Sequence, residues 1–234
     1  MRIRITVLGD DRAYDYRYMP TPGFSCLIEV DDYRLLFDLD SSWSYIKYNA
    51  DALGVDLSKV NAVAISHWHA DHYGGLREYL EWLESLGIEL PRVYVPSKRL
   101  GIANEVEVSK GLSIGPHILS TGAIRGFLGI EEQAVVIDTP YGPLIVTGCC
   151  HPGLEKVIDV ALEITGKNRI YGVIGGLHIG YDEALDVVPL LRSYGARLVA
   201  PCHCTGDDAI ELFEKELGDA FVRTYVGKVI TINL

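Results

Sequence analysis

The segment Val60–Leu76, VNAVAISHWHADHYGGL, decides how this chain of 234 residues is read. Val60–Ser66 is a short apolar run with β-branched residues and suits a buried central strand. It delivers the chain into His67-Trp68-His69-Ala70-Asp71-His72, four residues of metal-ligand type in six positions, on a loop where side chains can converge. Imidazole suits zinc, iron and manganese, and the carboxylate adds a hard ligand with a negative charge. His67 and His69 are expected to hold one ion while Asp71 and His72 point to a second. The alternative is a His-rich surface loop. With 7 His and 17 Asp in the chain, an H-x-H-x-D-H match arises by chance in about 4 of 10,000 such chains.

Upstream, Arg2–Leu8 alternates polar and apolar residues and breaks at Gly9-Asp10-Asp11, a strand and a turn. The stretch to Gly23, carrying Tyr14, Tyr16, Tyr18, Pro20 and Pro22, reads as a loop. Ser25–Val30 and Tyr33–Asp38 read as a hairpin about Asp31-Asp32. Ser41 or Ser42 caps a predicted helix running to about Leu53, where Gly54 ends it. Downstream, Gly74–Leu86 puts Leu76, Tyr79, Leu80 and Leu83 on one face of a helix. Strand-like runs follow at Arg92–Val95, Ile102–Val108, Pro116–Thr121, Gln133–Thr139 and Leu144–Thr147. Helices at Gly153–Thr165, Asp182–Ser193 and Asp207–Leu217 then alternate with strands at Arg169–Ile174 and Arg197–Ala200. Phe221–Val226 and Lys228–Ile232 close the chain as a hairpin or two strands around Gly227. No repeat or linker-like tract interrupts this order. The prediction is one α/β domain over residues 1–234, with two sheets and outer helices, because the strands outnumber those of a simple doubly wound sheet.

Composition narrows the partners. With 32 Asp+Glu against 21 Lys+Arg the net charge is −11, which disfavours nucleic acid or an anionic membrane engaged through bulk charge. No uncharged 18-residue run is present for a membrane helix, and the N-terminus lacks the apolar stretch of a signal peptide, so a cytoplasmic location is the expectation. Five cysteines, an odd number with Cys149 and Cys150 adjacent, fit reduced thiols better than a disulfide framework. The expected partner is a small-molecule substrate.

The run Phe37-Asp38, followed by Ser66–Leu76, resembles the signature of the metallo-β-lactamase superfamily. Phe24-Ser25, Asn49-Ala50, Gly148–Gly153 (GCCHPG), Gly175–His178 (GGLH) and Pro201–Gly206 (PCHCTG) are similar, in this order, to a narrower subgroup. That subgroup contains predicted metal-dependent hydrolases and the archaeal dihydropterin ribofuranosyl-aminobenzene phosphate synthases. The resemblance covers nearly the whole chain. It implies a four-layer αββα sandwich, two mixed sheets with outer helices, and a mono- or dinuclear metal site at one edge.

His151 lies past the strand Leu144–Thr147 in a tight turn between Gly148 and Gly153, a good ligand position, with a helix cap or a core His as the alternative. His203 follows the strand Arg197–Ala200, where the family's last motif supplies a ligand. His178 is read first as a substrate or proton-transfer group, then as a ligand. His117 is left out. Cys202 and Cys204 flank His203 with the spacing of thiolate ligands, but alternation along an extended chain sends them to the opposite face, so packing is favoured for both. The metal set is therefore His67, His69, Asp71, His72, His151 and His203.

Two departures from the family stand out. Many dinuclear members bridge their ions with an acidic residue at a strand end, whereas here Gly148-Cys149-Cys150-His151 has none; Cys149 or Cys150 as thiolate, or hydroxide alone, can take its place. Asp40 stands where the family usually has Gly, and is read as an acid near the cleft or a helix N-cap. Asp38 is expected to orient a ligating imidazole through its other ring nitrogen.

One or two divalent ions are expected, zinc first, with manganese, magnesium or iron as alternatives. Their charge brings a bound water's ionisation near neutral pH and supplies hydroxide as nucleophile, with Asp71 or His178 shuttling the proton. The first functional expectation is a metal-dependent hydrolase of a small ester, phosphoester, lactone or related substrate. A synthase condensing a dihydropterin with a ribofuranosyl-aminobenzene phosphate, and a non-catalytic metal-binding module, are the other two. Tyr14, Tyr16 and Tyr18 are candidates for stacking on a planar ring or for packing the rim. Lys98, Arg99 and Arg125 are candidates for a phosphate or for solvated surface.

Overall fold

The computed structural model describes all residues, 1–234. The chain folds as two compact units, Met1–Val108 with Tyr225–Leu234, and Ser109–Thr224.

In the first unit β1 (Arg2–Gly9), β2 (Ser25–Val30) and β3 (Tyr33–Phe37) run antiparallel, the second pair through a tight turn with Asp31 at φ +50. Then come α1 (Trp43–Leu53), β4 (Ala62–Ala64), α2 (Ala70–Tyr73), α3 (Leu76–Ser85), β5 (Arg92–Val95) and β6 (Glu105–Glu107). From β3 to β6 the strands pair in parallel. Helix α1 begins where the Ser42 side chain accepts the Ser44 N–H, and ends where Gly54 takes φ +67. The apolar face of α3, Leu76, Tyr79, Leu80 and Leu83, packs with Leu36, Ile46, Val63 and Val93 in one core. Asn49 of α1 is buried; its amide donates to the Leu8 and Met19 carbonyls and its oxygen accepts the Met19 N–H. That explains the Asn49-Ala50 motif as a pin for the irregular stretch between β1 and β2.

The second unit contains β7 (Leu112–Gly115), β8 (Ile118–Ser120), β9 (Ile124–Arg125), β10 (Glu131–Glu132), β11 (Val135–Ile137), β12 (Leu144–Thr147), α4 (Leu154–Thr165), β13 (Gly172–Gly176), α5 (Tyr181–Ser193), β14 (Leu198–Cys202) and α6 (Asp207–Leu217). Its six-stranded sheet has the order β14-β13-β12-β11-β8-β7, with β12, β13 and β14 parallel and the rest antiparallel. The last strand, β15 (Val229–Asn233), returns to the first unit and pairs antiparallel with β1, completing the seven-stranded sheet β15-β1-β2-β3-β4-β5-β6. Two mixed sheets and their helices are thus what the sequence pattern called for.

The differences are local. Of the closing pair, Lys228–Ile232 does form a strand, β15, but Phe221–Val226 does not and no hairpin results: Phe221 makes only an isolated bridge to Val199, and β15 pairs with the far N-terminal strand, a long-range contact that periodicity does not register. The strand over Val60–Ser66 is trimmed to three residues: Val60 closes a 3-10 turn at one end, and at the other Ser66 bonds to the Asp38 carboxylate. His117 occupies the β7–β8 turn at φ +58. No helix is long and apolar enough to cross a membrane.

Gly175 and Gly87 both have positive φ, +120 and +69. A Cβ on Gly175 would lie 2.1 Å from the Thr147 carbonyl oxygen, whereas one on Gly87 would meet nothing within 4 Å. Gly175→Ala should therefore cost about 3 kcal/mol in urea unfolding, from strain plus overlap, and Gly87→Ala about 1 kcal/mol, from strain alone. Equal losses would refute the overlap.

Candidate functional site

The first unit supplies His67, His69, Asp71 and His72. The parallel register pairs Phe37 with Ala64, so Asp38 and Ile65-Ser66 leave the sheet side by side. Asp38 is fully buried, and its carboxylate accepts the Ser66 N–H at 2.6 Å, the Ser66 hydroxyl at 2.7 Å and His72 Nδ1–H at 2.7 Å. Because the single hydroxyl hydrogen of Ser66 goes to Asp38, Ser66 Oγ accepts from His67 Nδ1 at 2.9 Å. Both imidazoles then carry their proton on Nδ1 and present Nε2 as a lone pair. His67 Nε2 lies 3.0 Å from His69 Nδ1, and His72 Nε2 lies 3.7 Å from Asp71 Oδ2. The four side chains converge as two pairs.

They do not sit on a loop throughout. His69 stands at the N-terminus of α2, and Asp71 and His72 lie in its single turn, closed by the His72 N–H to the His69 carbonyl at 2.9 Å. The Gly74-Gly75 that follows has a packing cause: a Cβ on Gly74 would lie 2.4 Å from the Ser41 carbonyl oxygen, and one on Gly75 2.5 Å from that of Leu39. Asp40 is not the helix cap, and it is a fully buried acid. Ser42 caps α1, while the buried Asp40 carboxylate accepts from the Thr21 hydroxyl at 2.5 Å and the Ser41 N–H at 2.6 Å.

The second unit supplies His151, His178 and His203 at the C-terminal ends of three parallel strands, the usual ligand edge of such sheets. Thr147 pairs with Gly175, and Gly176 with Cys202, so Cys149, His178 and His203 all emerge at one end. Their loops are knitted together: Thr147 Oγ1 donates to the Gly176 carbonyl at 2.8 Å, and the Leu177 N–H donates to Thr205 Oγ1 at 3.1 Å.

Glu132 is the residue that motif reading missed. It is buried, and Oε1 accepts the N–H groups of Cys149 and Cys150 at 2.9 and 2.7 Å. Oε2 accepts His151 N–H at 2.9 Å and His151 Nδ1–H at 2.7 Å. One carboxylate shapes the whole GCCH turn and leaves His151 Nε2 to a ligand. A signal existed: extending the antiparallel pairing of Val135 with Val146 by three residues places Glu132 opposite Cys149.

Ligand atoms of Cys149, His151 and His178 lie within 4.8 Å of one another, as do those of Cys149, His203 and Cys204. The His178 side chain is exposed, with its ring centroid 4.9 Å from that of His151. Two cysteines differ from expectation. Cys202 packs in the core, but Cys204 does not point away from His203, because His203 takes φ +49 and interrupts the extended alternation. A hydrogen bond from Cys149, aided by the charge of His203, holds the Cys204 thiol down to about 6 against the effect of burial. Cys150 belongs to the apolar core, and burial pushes its thiol well up, which removes it as the carboxylate substitute.

The peripheral candidates are mostly engaged elsewhere. Tyr14 packs edge-on against Tyr225 at 5.1 Å, and the Tyr18 ring lies against Gly227, leaving Tyr16 at 97% exposure. The Arg99 guanidinium lies over Trp68 at 5.7 Å. The N–H groups of Arg99, Leu100 and Gly101, a natural anion nest, are filled by the Glu105 carboxylate at 2.7–3.0 Å. A groove of about 460 Å³ along α3, lined by Leu76, Leu80, Leu90, Leu100 and Ile102, contains no His or Cys.

Comparison with known proteins agrees with this architecture. Residues 3–100 match the family described as Anti-Pycsar protein Apyc1. The 7,8-dihydropterin-6-methyl-4-(β-D-ribofuranosyl)-aminobenzene-5'-phosphate synthase of Methanocaldococcus jannaschii is 27% identical, over 97% of this chain and 96% of its own. Among solved structures, a metal-dependent hydrolase of the β-lactamase superfamily superposes with a TM-score of 0.75 at 26% identity, covering 99% of both chains. The metallo-β-lactamase fold protein YhfI of Bacillus subtilis superposes at 0.72 with 14% identity, covering 99% of this chain and 100% of its own.

Asp38→Asn tests the positioning role. An amide can still accept from Ser66, but it offers His72 a weaker acceptor. Metal affinity is expected to fall about 10–100-fold in competition with a chelating dye, with the fold retained by circular dichroism. Unchanged affinity would remove Asp38 from the ligand-orienting set.

Proposed function

In this protein of metallo-β-lactamase fold, we propose that the His, Asp and Cys residues described above support a metal-dependent hydrolase acting on a small ester, phosphoester, lactone or related molecule. The observation that carries the reading is one repeated arrangement. Three imidazoles, His67, His72 and His151, are each held at Nδ1 by an oxygen acceptor, Ser66, Asp38 or Glu132, and so are kept ready to ligate through Nε2. Histidines tied in this way are the usual companions of a bound divalent ion.

His67, His69, Asp71, His72, His151 and His203 are the proposed ligands, for one or two ions with zinc first and manganese, magnesium or iron behind it. The donor chemistry fits: neutral imidazoles with one carboxylate suit zinc. A divalent ion bound there supplies Lewis acidity and water activation near neutral pH. The chain's own residues do the rest. Asp38, Ser66 and Glu132 fix tautomers. Asp71, whose side chain is partly exposed beside His72 Nε2, and His178, exposed against His151, are the proposed proton carriers to the leaving group. A small-molecule partner, rather than nucleic acid, accords with the −11 charge.

The second reading, a synthase joining a dihydropterin to a ribofuranosyl-aminobenzene phosphate, is favoured by the 27% identity that extends over 97% of the chain. It uses the same ligands and differs in what it binds.

Metal analysis of the purified protein, paired with turnover of phosphodiesters, lactones and thioesters and with a dihydropterin condensation assay, separates these readings. His67→Ala combined with His203→Ala should lose most of the metal and all activity; a full metal load in that variant would refute the ligand assignment. His178→Ala should keep its metal and lose turnover. Loss of metal there would make His178 a ligand instead.

A further inference from the structure

We propose that Cys149, His203 and Cys204 form a soft, thiolate-bearing ligand set within the second unit, standing in for the strand-end carboxylate this chain lacks and selecting zinc over magnesium or manganese. The inference rests on the proposed metal centre in one respect, the shared residue His203.

Three observations build the set. One ligand atom from each residue falls within 4.8 Å of the other two, with Cys149 and His203 buried and Cys204 partly so. Cys149 is positioned by its own backbone, since its N–H is fixed to Glu132 at 2.9 Å, and the next residue, Cys150, takes φ +64 and turns its thiol into the core. Space for the second sulfur is kept by a glycine: a Cβ on Gly176 would lie 2.7 Å from Cys204 Sγ and 2.3 Å from the Gly148 carbonyl oxygen. The left-handed backbone of His203, φ +49, swings Cys204 to the side of Cys149. Of the other cysteines, Cys26 and Cys202 are fully buried and belong to no such group.

The chemistry follows from ligand softness. Thiolate with imidazole matches zinc, while magnesium and manganese favour oxygen donors. Binding releases the thiol protons to solvent, so the ion replaces hydrogen with sulfur–metal bonds and no redox step is involved.

Cobalt(II) is the probe, because a thiolate–cobalt bond gives a near-ultraviolet charge-transfer band that imidazole and carboxylate ligands do not. The full-length protein loaded with cobalt should show the band. Cys149→Ser and Cys204→Ser should each remove about half of its intensity, the double variant all of it, and Cys150→Ser none, since intensity follows the number of thiolate ligands. Zinc should also protect Cys149 and Cys204, and not Cys150, from alkylation read by mass spectrometry under partly denaturing conditions. Cobalt bound with visible ligand-field bands but no charge-transfer band overturns the thiolate set and leaves the hydrolase reading standing. No cobalt bound at all overturns both. A band that survives the double serine variant overturns the assignment to these two residues.

Discussion

A buried carboxylate with nothing to neutralise it would destabilise a protein by several kcal/mol. Asp38 is fully buried, directly after β3, and it survives because three donors converge on it: the Ser66 amide, the Ser66 hydroxyl and the His72 imidazole. The rest of the first ligand set depends on that arrangement. The parallel pairing of β3 with β4 brings Ser66 to Asp38. Ser66 in turn fixes His67, and the helical turn of α2 returns His72 to the same carboxylate. Removing Asp38 would strand an amide, a hydroxyl and an imidazole donor, and would free both imidazoles to rotate. The same three bonds thus neutralise a buried charge and orient the imidazoles proposed as ligands.

The second unit solves the same problem with different residues. Glu132 reaches its partners from an antiparallel strand, not from the end of a parallel one, and binds three backbone amides besides the imidazole of His151. Each unit therefore has a buried carboxylate that shapes the segment carrying its proposed ligands and sets the tautomer of a histidine. Backbone amides held this way cost little entropy when a ligand arrives, because the loop is already ordered. The glycines around these loops serve the same end. Gly74, Gly75 and Gly176 are small where backbone or sulfur must approach to within van der Waals distance.

Much of this was legible in the sequence, and the limits have physical causes. The capped helix α1 and the amphipathic face of α3 are local signals and read correctly, and the four side chains of the H-x-H-x-D-H run do converge, though partly from a helical turn. The role of Asp38 toward an imidazole was legible through its motif, and the structure names His72 as the partner. Glu132 was not legible as a site residue because its place depends on strand register: only when the pairing of β11 with β12 is extended three residues does it fall opposite Cys149, whose N–H its side chain accepts. The side on which Cys204 lies was misread for a related reason. Alternation assumes an extended backbone, and one residue at φ +49 cancels it. The pairing of β15 with β1 spans the whole chain, and no local pattern encodes it.

The choice between hydrolysis and condensation lies outside the ligand set. Both proposed reactions need a polarised electrophile and a proton moved at the leaving group, and His67, His72 and His151, with their fixed tautomers, would serve either one as ligands. What differs is the nucleophile's source: water for a hydrolase, a second organic substrate for a synthase. A synthase must hold that second substrate close and keep water away from the reacting carbon. The residues first read as substrate contacts do little toward this. Tyr14 and Tyr18 pack against the C-terminal segment, and the amide nest at Arg99–Gly101 is closed by Glu105. Those sites offer neither an aromatic platform of stacked tyrosines nor an open phosphate cradle. For condensation, the exposed imidazole of His178, resting on His151, is one group of the second unit open to a second substrate. The proposed ligand chemistry would be shared by both reactions, and the groups that discriminate between them lie outside it.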